Sequence, residues 1–289
     1  MLEHLMVAVD LTPTGETLLP RLSGLRRLGA RRATLVHVAE VDYPMAGAVA
    51  HLDHHRARLE EMAAGLRQEG FEVDSQARHG NPVTELLRAA AEVGAHLVLV
   101  GSRSRSRIAE AFLGSVATEV VERSTLPVLV ERLGVEAGAP PSRILLPTDL
   151  SNPSLRAVHL VEGLPDRARW SVTLLHVLDG DGSSDAAGEA HARAHARVHA
   201  QAHAQAEATL KPLTEGLRSA GFEEVGAEVT TGDPARIILE AAARVPGTLL
   251  IMGTRGRGFL GRPGLGKVTR RVLRETGVRA LVVPAKEEE

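Results

Sequence analysis

Apolar residues fall along this chain in short, dense runs separated by longer stretches of mixed character. "LMVAVD", "ATLVHV", "HLVLVG" and "PVLVER" are rich in Val and Leu and too short for helices, so they predict buried strands. Between them lie segments with helical spacing. In "NPVTELLRAAAEVG", Asn81 predicts the cap, Pro82 the first turn and Gly94 the close. Strands alternating with helices predict a parallel sheet covered by helices, a doubly wound α/β arrangement.

The pattern then occurs a second time. "LMVAVDLTPTGETLLPRLSGL" from Leu5 aligns with "ILLPTDLSNPSLRAVHLVEGL" from Ile144, which places Asp10 on Asp149. "ATLVHVAE" aligns with "VTLLHVLD" at the same offset and places His37 on His176. "GFEVDSQARHGNPVTELLRAAAEVGAHLVLVGSRS" aligns with "GFEEVGAEVTTGDPARIILEAAARVPGTLLIMGTRG", the offset now larger by about a dozen residues, so the second copy carries an insertion after its second strand. Two tandem α/β domains are predicted, 1–138 and 139–289. The stretch "ERLGVEAGAPPS", Glu131 to Ser142, has the Gly, Pro and Ser content of a linker.

Composition narrows the classes of function. A length of 289 residues suits two domains, and 44% hydrophobic with 24% charged residues fits a soluble globular protein rather than a disordered one. A net charge of −2 supplies no basic field for nucleic acid or anionic lipid, and 2% aromatics leave few platforms for base stacking; no nucleic-acid partner is expected. With no cysteine, disulfides, thiolate chemistry and Cys-ligated zinc are excluded. The start carries an acidic residue where a signal peptide needs positive charge, and no apolar run approaches the roughly 20 residues of a membrane span, so a cytoplasmic location is expected.

In doubly wound sheets ligands bind beyond the carboxyl ends of strands. The residues expected there are Asp10, His37, Val38 and Gly101 onward in the first copy, and Asp149, His176, Val177 and Gly253 onward in the second. "GRPGLGKVT", Gly261 to Thr269, approximates a phosphate loop, but Val268 stands where the hydroxyl belongs and Thr269 follows one place late. The strand "TLLIMG" also ends near Gly253, eight residues before Gly261, whereas a Walker loop follows its strand directly. The connection reads instead as Gly253, two residues, Gly256, nine residues, Gly266, closing on a helix start. Glycines admit a ligand close to the backbone, free N–H groups favour an anion, and Arg255 and Lys267 add positive charge. In the first copy the spacing is Gly101, Ser104, Gly114-Ser115, with Arg103 inside it; the middle glycine is lost, and a Ser at a position needing positive φ costs on the order of 1 kcal/mol.

This spacing, with "LLPTDLS" and "GDPARIILEAA", resembles the universal stress protein family over essentially the whole chain. In the family's nucleotide-binding branch the glycine loop ends in Ser or Thr and holds ATP phosphates, the strand-one Asp lies beside the adenosine, and backbone at the end of strand two meets the adenine. The resemblance implies those roles for Gly253, Arg255, Gly256, Gly266, Lys267 and Val268, with Thr148, Asp149 and Val177. In the first copy they fall on Asp10, Val38, Gly101, Arg103, Gly114 and Ser115. Lys267 stands where the family has a hydroxyl, and it either binds phosphate as a point charge or fills the site. The implied ligand is ATP or another adenine nucleotide, with or without Mg, and the implied role is a stress-response sensor or regulator with at most slow hydrolysis. Since some branches bind no nucleotide, an interaction protein with degenerate loops stays open.

The resemblance also implies dimerisation through the last strand. The terminal runs "PVLVER" at Pro127 and "ALVVPA" at Ala280 read as edge strands, and an apolar edge invites pairing. In one chain the two edges can meet as an internal pseudo-dimer, with Pro284 stopping the ladder at its end; a homodimer of whole chains would use other surfaces.

Other features carry milder readings. No Ser/His/Asp constellation repeats and no paired carboxylates flank the loops, so no catalytic residue is assigned. His37 and His176 read as packed or partly solvated histidines, and the "SRSRSR" run from Ser102 as local phosphate binding or solvation. "HARAHARVHAQAH" places His191, His195, His199 and His203 four apart in an Ala-rich helical segment, with a weaker echo in His51, His54 and His55. Neighbouring pairs such as His195 and His199 have the spacing to chelate zinc, nickel or copper, which leaves a metal-responsive binder as a further reading. Steps of four drift by about 40°, so all four cannot converge on one ion, and a polar helical face is the simpler reading. Chelation predicts micromolar zinc or nickel binding that is lost when His195 and His199 both become Ala. Absence of binding at neutral pH leaves the solvated face.

Overall fold

The computed structural model describes residues 2–39, 45–103, 113–133, 140–179, 189–256 and 264–285. The first half contributes β1 (His4–Ala8), α1 (Pro13–Glu16), β2 (Arg32–Ala39), α2 (Met45–Gln68), β3 (Glu72–His79), α3 (Pro82–Glu92), β4 (Leu97–Arg103), α4 (Ser115–Arg123) and β5 (Val128–Leu133). The second contributes β6 (Arg143–Pro147), α5 (Asn152–Glu162), β7 (Ser171–Asp179), α6 (Glu189–Ser219), β8 (Glu224–Gly232), α7 (Pro234–Ala243), β9 (Thr248–Gly253), α8 (Lys267–Glu275) and β10 (Ala280–Val283). Residues 134–139 of the expected linker, and with them the boundary between 138 and 139, lie outside the described residues.

Local chemistry explains where the helices begin. Asn81 accepts from the Thr84 N–H at 3.0 Å and Asp233 accepts from the Arg236 N–H at 2.7 Å, each followed by a proline at the first helical position. The insertion of the second copy enters α6, a 31-residue helix against 24 for α2.

The ten strands among the described residues form one sheet in the order β3-β2-β1-β4-β5-β10-β9-β6-β7-β8. Every pairing is parallel except that of β5 with β10, where Val128, Leu129 and Val130 face Val282, Leu281 and Ala280. The two halves are thus an internal pseudo-dimer joined strand to strand. The runs read as edges are edges only of their own halves, and the true edges of the sheet are β3 and β8. Alternate strand residues feed two cores. Leu5, Val7, Leu35 and Leu99 lie with Leu59 of α2 on one face, and Met6, Val36, Val98 and Val100 lie with Leu86 of α3 and Val120 of α4 on the other. Burial on both faces is why the central strands read as unbroken apolar runs.

The seam also contains charge. Arg21 and Arg279 approach the same Glu131 oxygen at 3.1 and 3.3 Å, and all three side chains are 10% exposed or less. Arg21 and Glu131 belong to the first half and Arg279 to the second, so this buried group crosses between them.

Candidate functional site at the carboxyl ends of β6, β7 and β9

Within each half the strand order reverses beside the first strand, between β1 and β4 and between β6 and β9. A crevice opens at such a switch point because the two flanking connections leave on opposite faces of the sheet. In the second half it is a cavity of about 490 Å³. Its walls include Thr148, Asp149, Val177, Gly253, Arg255, Gly256, Gly266, Lys267 and Val268, so every candidate residue named for this copy lines the same space.

The floor is organised by hydrogen bonds at the end of β6. The Leu150 N–H donates to Thr148 Oγ1 at 3.0 Å, Thr148 and Ser154 join their hydroxyls at 2.8 Å, and Ser154 Oγ donates to the Ser151 carbonyl at 2.9 Å. Since Ser154 spends its proton on that carbonyl, Thr148 is the donor to Ser154. Asp149 Oδ1 accepts from both the N–H and the hydroxyl of Ser151. These bonds hold Leu150 at φ 62°, a left-handed conformation costly for a branched side chain; Leu11 repeats it at φ 52° after Asp10. Asp10 likewise accepts from the N–H and hydroxyl of Thr12, at 3.0 and 2.7 Å. Both Asp side chains are therefore fixed by the turn that follows them.

The two aligned histidines share one structural task. His176 Nδ1 donates to the Thr148 carbonyl at 2.7 Å, and His37 Nδ1 donates to the Val9 carbonyl at 2.8 Å. A carbonyl can only accept, so the proton sits on Nδ1, and each histidine ties the second strand of its half to the end of the first. The packed reading of these residues matches this geometry.

The glycine loop closes the other side. A Cβ built on Gly256 would lie 2.3 Å from Asp149 Oδ2, so this residue lacks a side chain because the carboxylate occupies the space. Its φ is outside the left-handed region, which corrects the expectation that the middle glycine is there for positive φ. The Gly266 N–H donates to the Thr254 carbonyl at 2.8 Å, bringing the start of α8 onto the end of β9. Gly266 gives α8 no side-chain cap, so the first N–H groups of the helix open toward the cavity that Gly266, Lys267 and Val268 line. Thr269, the hydroxyl displaced from the phosphate-loop pattern, is 5% exposed and donates to the Gly253 carbonyl at 3.0 Å. It fastens helix to strand and is no phosphate ligand. Gly261 of that pattern lies outside the described residues.

The first copy brings Asp10, Val38 and Gly101 to the same end of its sheet and starts α4 at Gly114 and Ser115, again without a side-chain cap. Arg103 ends β4. Ser104 and the rest of the connection through residue 112 lie outside the described residues, as does most of the alternating Ser/Arg run. Ser102, the first residue of that run, is fully buried with its hydroxyl toward the Glu131 carbonyl, so it cannot meet a nucleic-acid phosphate.

On α6, His203 donates Nε2 to the Val229 carbonyl at 3.1 Å and holds Nδ1 near Glu207 at 3.4 Å. The side chains of His191 and His195 are outside the described ones. In the first half His55 sets its ring against His37 at 4.5 Å. Among the described residues no three His, Asp or Glu side chains gather as a metal site, and no helix is long and apolar enough to cross a membrane.

Ser154 was not anticipated from sequence. The repeat holds a signal for it, since the same offset puts Gly15 there, where an added Cβ would fall 1.8 Å from Asp10 Oδ1. Pro234 and Ile238 of α7 and Met252 of β9 also line the cavity as apolar wall, and nothing in the sequence separates them from ordinary core.

Comparison with known proteins places these features. The model of the Universal stress protein family matches residues 1–132 and 141–284. Universal stress protein YxiE of Bacillus subtilis is 38% identical over 74 residues, which are 26% of this chain and 50% of that protein, so the match spans half the length of this relative. A universal stress protein of Methanocaldococcus jannaschii is 24% identical over 153 residues, covering 45% of this chain and 94% of that one. The crystal structure of a universal stress protein from Archaeoglobus fulgidus superposes over 99% of this chain and 97% of its own with a TM-score of 0.73 at 20% identity.

Proposed function

Taking as premise that the chain belongs to the universal stress protein family, we propose that its second half binds an adenine nucleotide, ATP first, and that the protein acts as a cytoplasmic stress-response sensor or regulator. The observation that carries this reading is the cavity in which Gly256, cleared of any side chain by Asp149, meets the uncapped start of α8. A phosphate chain is the ligand for which bare backbone N–H groups, a helix start and two cations, Arg255 and Lys267, are suited.

The remaining roles follow the resemblance. Asp149, immobilised by Ser151, would face the ribose; backbone at Val177 would meet the base; Thr148 would hold the turn between them. The bound nucleotide supplies a ligand whose presence reports on its own supply, and the chain supplies position rather than turnover. The first half retains Asp10, Val38, Gly101, Arg103, Gly114 and Ser115 as a second candidate site.

The test is direct. The full chain is purified, denatured in acid, and the released small molecules are separated and identified; the stripped protein is titrated with ATP in a calorimeter. An adenine nucleotide in the extract, or saturable heat on titration, is the expected result. An empty extract together with no heat would favour the interaction protein with degenerate loops.

A further inference from the structure

The cavity wall contains two cations, Arg255 and Lys267, and two carboxylates, Asp149 and Asp179. Neither carboxylate brings two open oxygens to a metal on the phosphate chain. Asp149 has Oδ1 committed to the N–H and hydroxyl of Ser151, and its Oδ2 fills the space beside Gly256. Asp179 ends β7, with β6 between it and β9, so it stands about 10 Å of sheet away from the glycine loop. A small divalent cation such as magnesium asks for one or two carboxylates beside the phosphates it bridges; among the described carboxylates of the cavity wall a single oxygen, Asp149 Oδ2, stands at the glycine loop, a meagre donor set for it.

Lys267 offers the positive charge instead. It is the first residue of α8, exposed, directly after the uncapped Gly266. Three other cations of this helix have acidic partners: Arg270 reaches Glu122, Arg271 reaches Asp233 and Arg274 reaches Glu275. Among the described residues Lys267 has no such partner, although it lies where the dipole of the helix is itself positive. An ammonium on that spot raises the local potential twice over. The arrangement costs stability unless an anion neutralises it. Gly266 rests on the backbone of Arg255, a built Cβ lying 3.6 Å from the Arg255 Cα, the Arg255 Nε donates to the Gly264 carbonyl at 3.3 Å, and Arg255 and Lys267 both line the cavity.

We infer that Lys267, with Arg255, takes the place of the divalent cation, so that this cavity binds the nucleotide triphosphate free of metal. The inference rests on the nucleotide reading above and adds its own sign. Magnesium removes two negative charges from ATP, and a cationic cleft poor in metal ligands is attracted less to what is left.

The experiment is calorimetric titration of the full chain with ATP, once in EDTA and once in excess magnesium, on the unaltered protein and on Lys267→Thr and Lys267→Arg. The unaltered protein is expected to bind at least as tightly in EDTA as in magnesium. Lys267→Thr is expected to bind about tenfold or more weakly in EDTA, which is about 1.4 kcal/mol, and to be helped by magnesium. Lys267→Arg keeps the charge and the metal-free behaviour. Binding by the unaltered protein that weakens tenfold or more in EDTA overturns the inference and leaves the nucleotide reading standing. A Lys267→Thr variant that responds to EDTA and magnesium as the unaltered protein does overturns the role of Lys267. No binding under either condition overturns both. Because Lys267 is exposed at a helix start, a melting curve for each variant separates lost binding from lost fold.

Discussion

Gly256→Val is expected to abolish nucleotide binding at the second-half cleft while the fold persists. The position faces a carboxylate: the nearest atom to a Cβ there is Asp149 Oδ2 at 2.3 Å. Real Cβ contacts are never that short, so either the loop or the carboxylate must move. Asp149 resists, because Ser151 holds it through two hydrogen bonds and Leu150 is locked behind it at φ 62°. The loop then lifts away, and the backbone N–H groups lose their aim at the phosphates. An affinity loss of about a hundredfold or more, about 2.7 kcal/mol, is expected by calorimetry with ATP. Gly114→Val is the control, since among the described residues a Cβ built there meets nothing within 4 Å. Its effect on total binding should be small. Equal affinity in Gly256→Val and the unaltered chain would remove this loop from the site.

Val282→Asp is expected to lower the melting temperature more than any loop substitution. Val282 is 1% exposed, pairs with Val128 across the antiparallel seam, and lies in the core shared with α4 and α8. A carboxylate there is buried beside aliphatic neighbours, at a cost of several kcal/mol. For halves of this size that corresponds to a drop on the order of 10 °C. Binding of a hydrophobic dye should rise as the seam loosens. In the unaltered protein, halves cut at the linker should stay together on a sizing column. An unchanged melting temperature in the variant, with cut halves that separate freely, would show that the seam does not hold the molecule together in solution.

How far the sequence disclosed all this depends on what each element buries. The central strands were legible because both their faces are covered, which leaves runs such as "HLVLVG" with nothing polar to confuse them. β3 and β8 left no such run. They are the outer strands, and their exposed positions carry Glu72, Asp74 and Glu228, so a polar alternation replaces the apolar signal. The site residues were legible through the repeat and the glycine spacing, with two differences of reason. Gly256 is required by a carboxylate at the end of the neighbouring strand β6, more than a hundred residues earlier in the chain, a contact that spacing alone cannot reveal. Thr269 resembles a displaced phosphate ligand in sequence, and only the turn of α8 shows that it points back to Gly253. Ser154 has its partner six residues earlier, yet a single serine after a proline carries no local mark of that bond.

The Arg21–Glu131–Arg279 group at the seam bears on whether the halves could live apart. Leu129 faces Leu281 at the centre of the seam, and the strand registers make Glu131 the counterpart of Val283 and Arg279 the counterpart of Pro127. If two second halves paired with each other in that register, each Arg279 would face a Val283 and two guanidinium groups would be buried without a carboxylate. Two first halves would keep Arg21 with Glu131 but forfeit the second arginine. The unlike combination is the one that sets both guanidinium groups against a carboxylate. If the gene were divided near residue 139 and both pieces expressed in one cell, they should find each other rather than their own kind. The seam thereby carries a pairing preference of its own: Arg279 of the second half meets its carboxylate, Glu131, on the first.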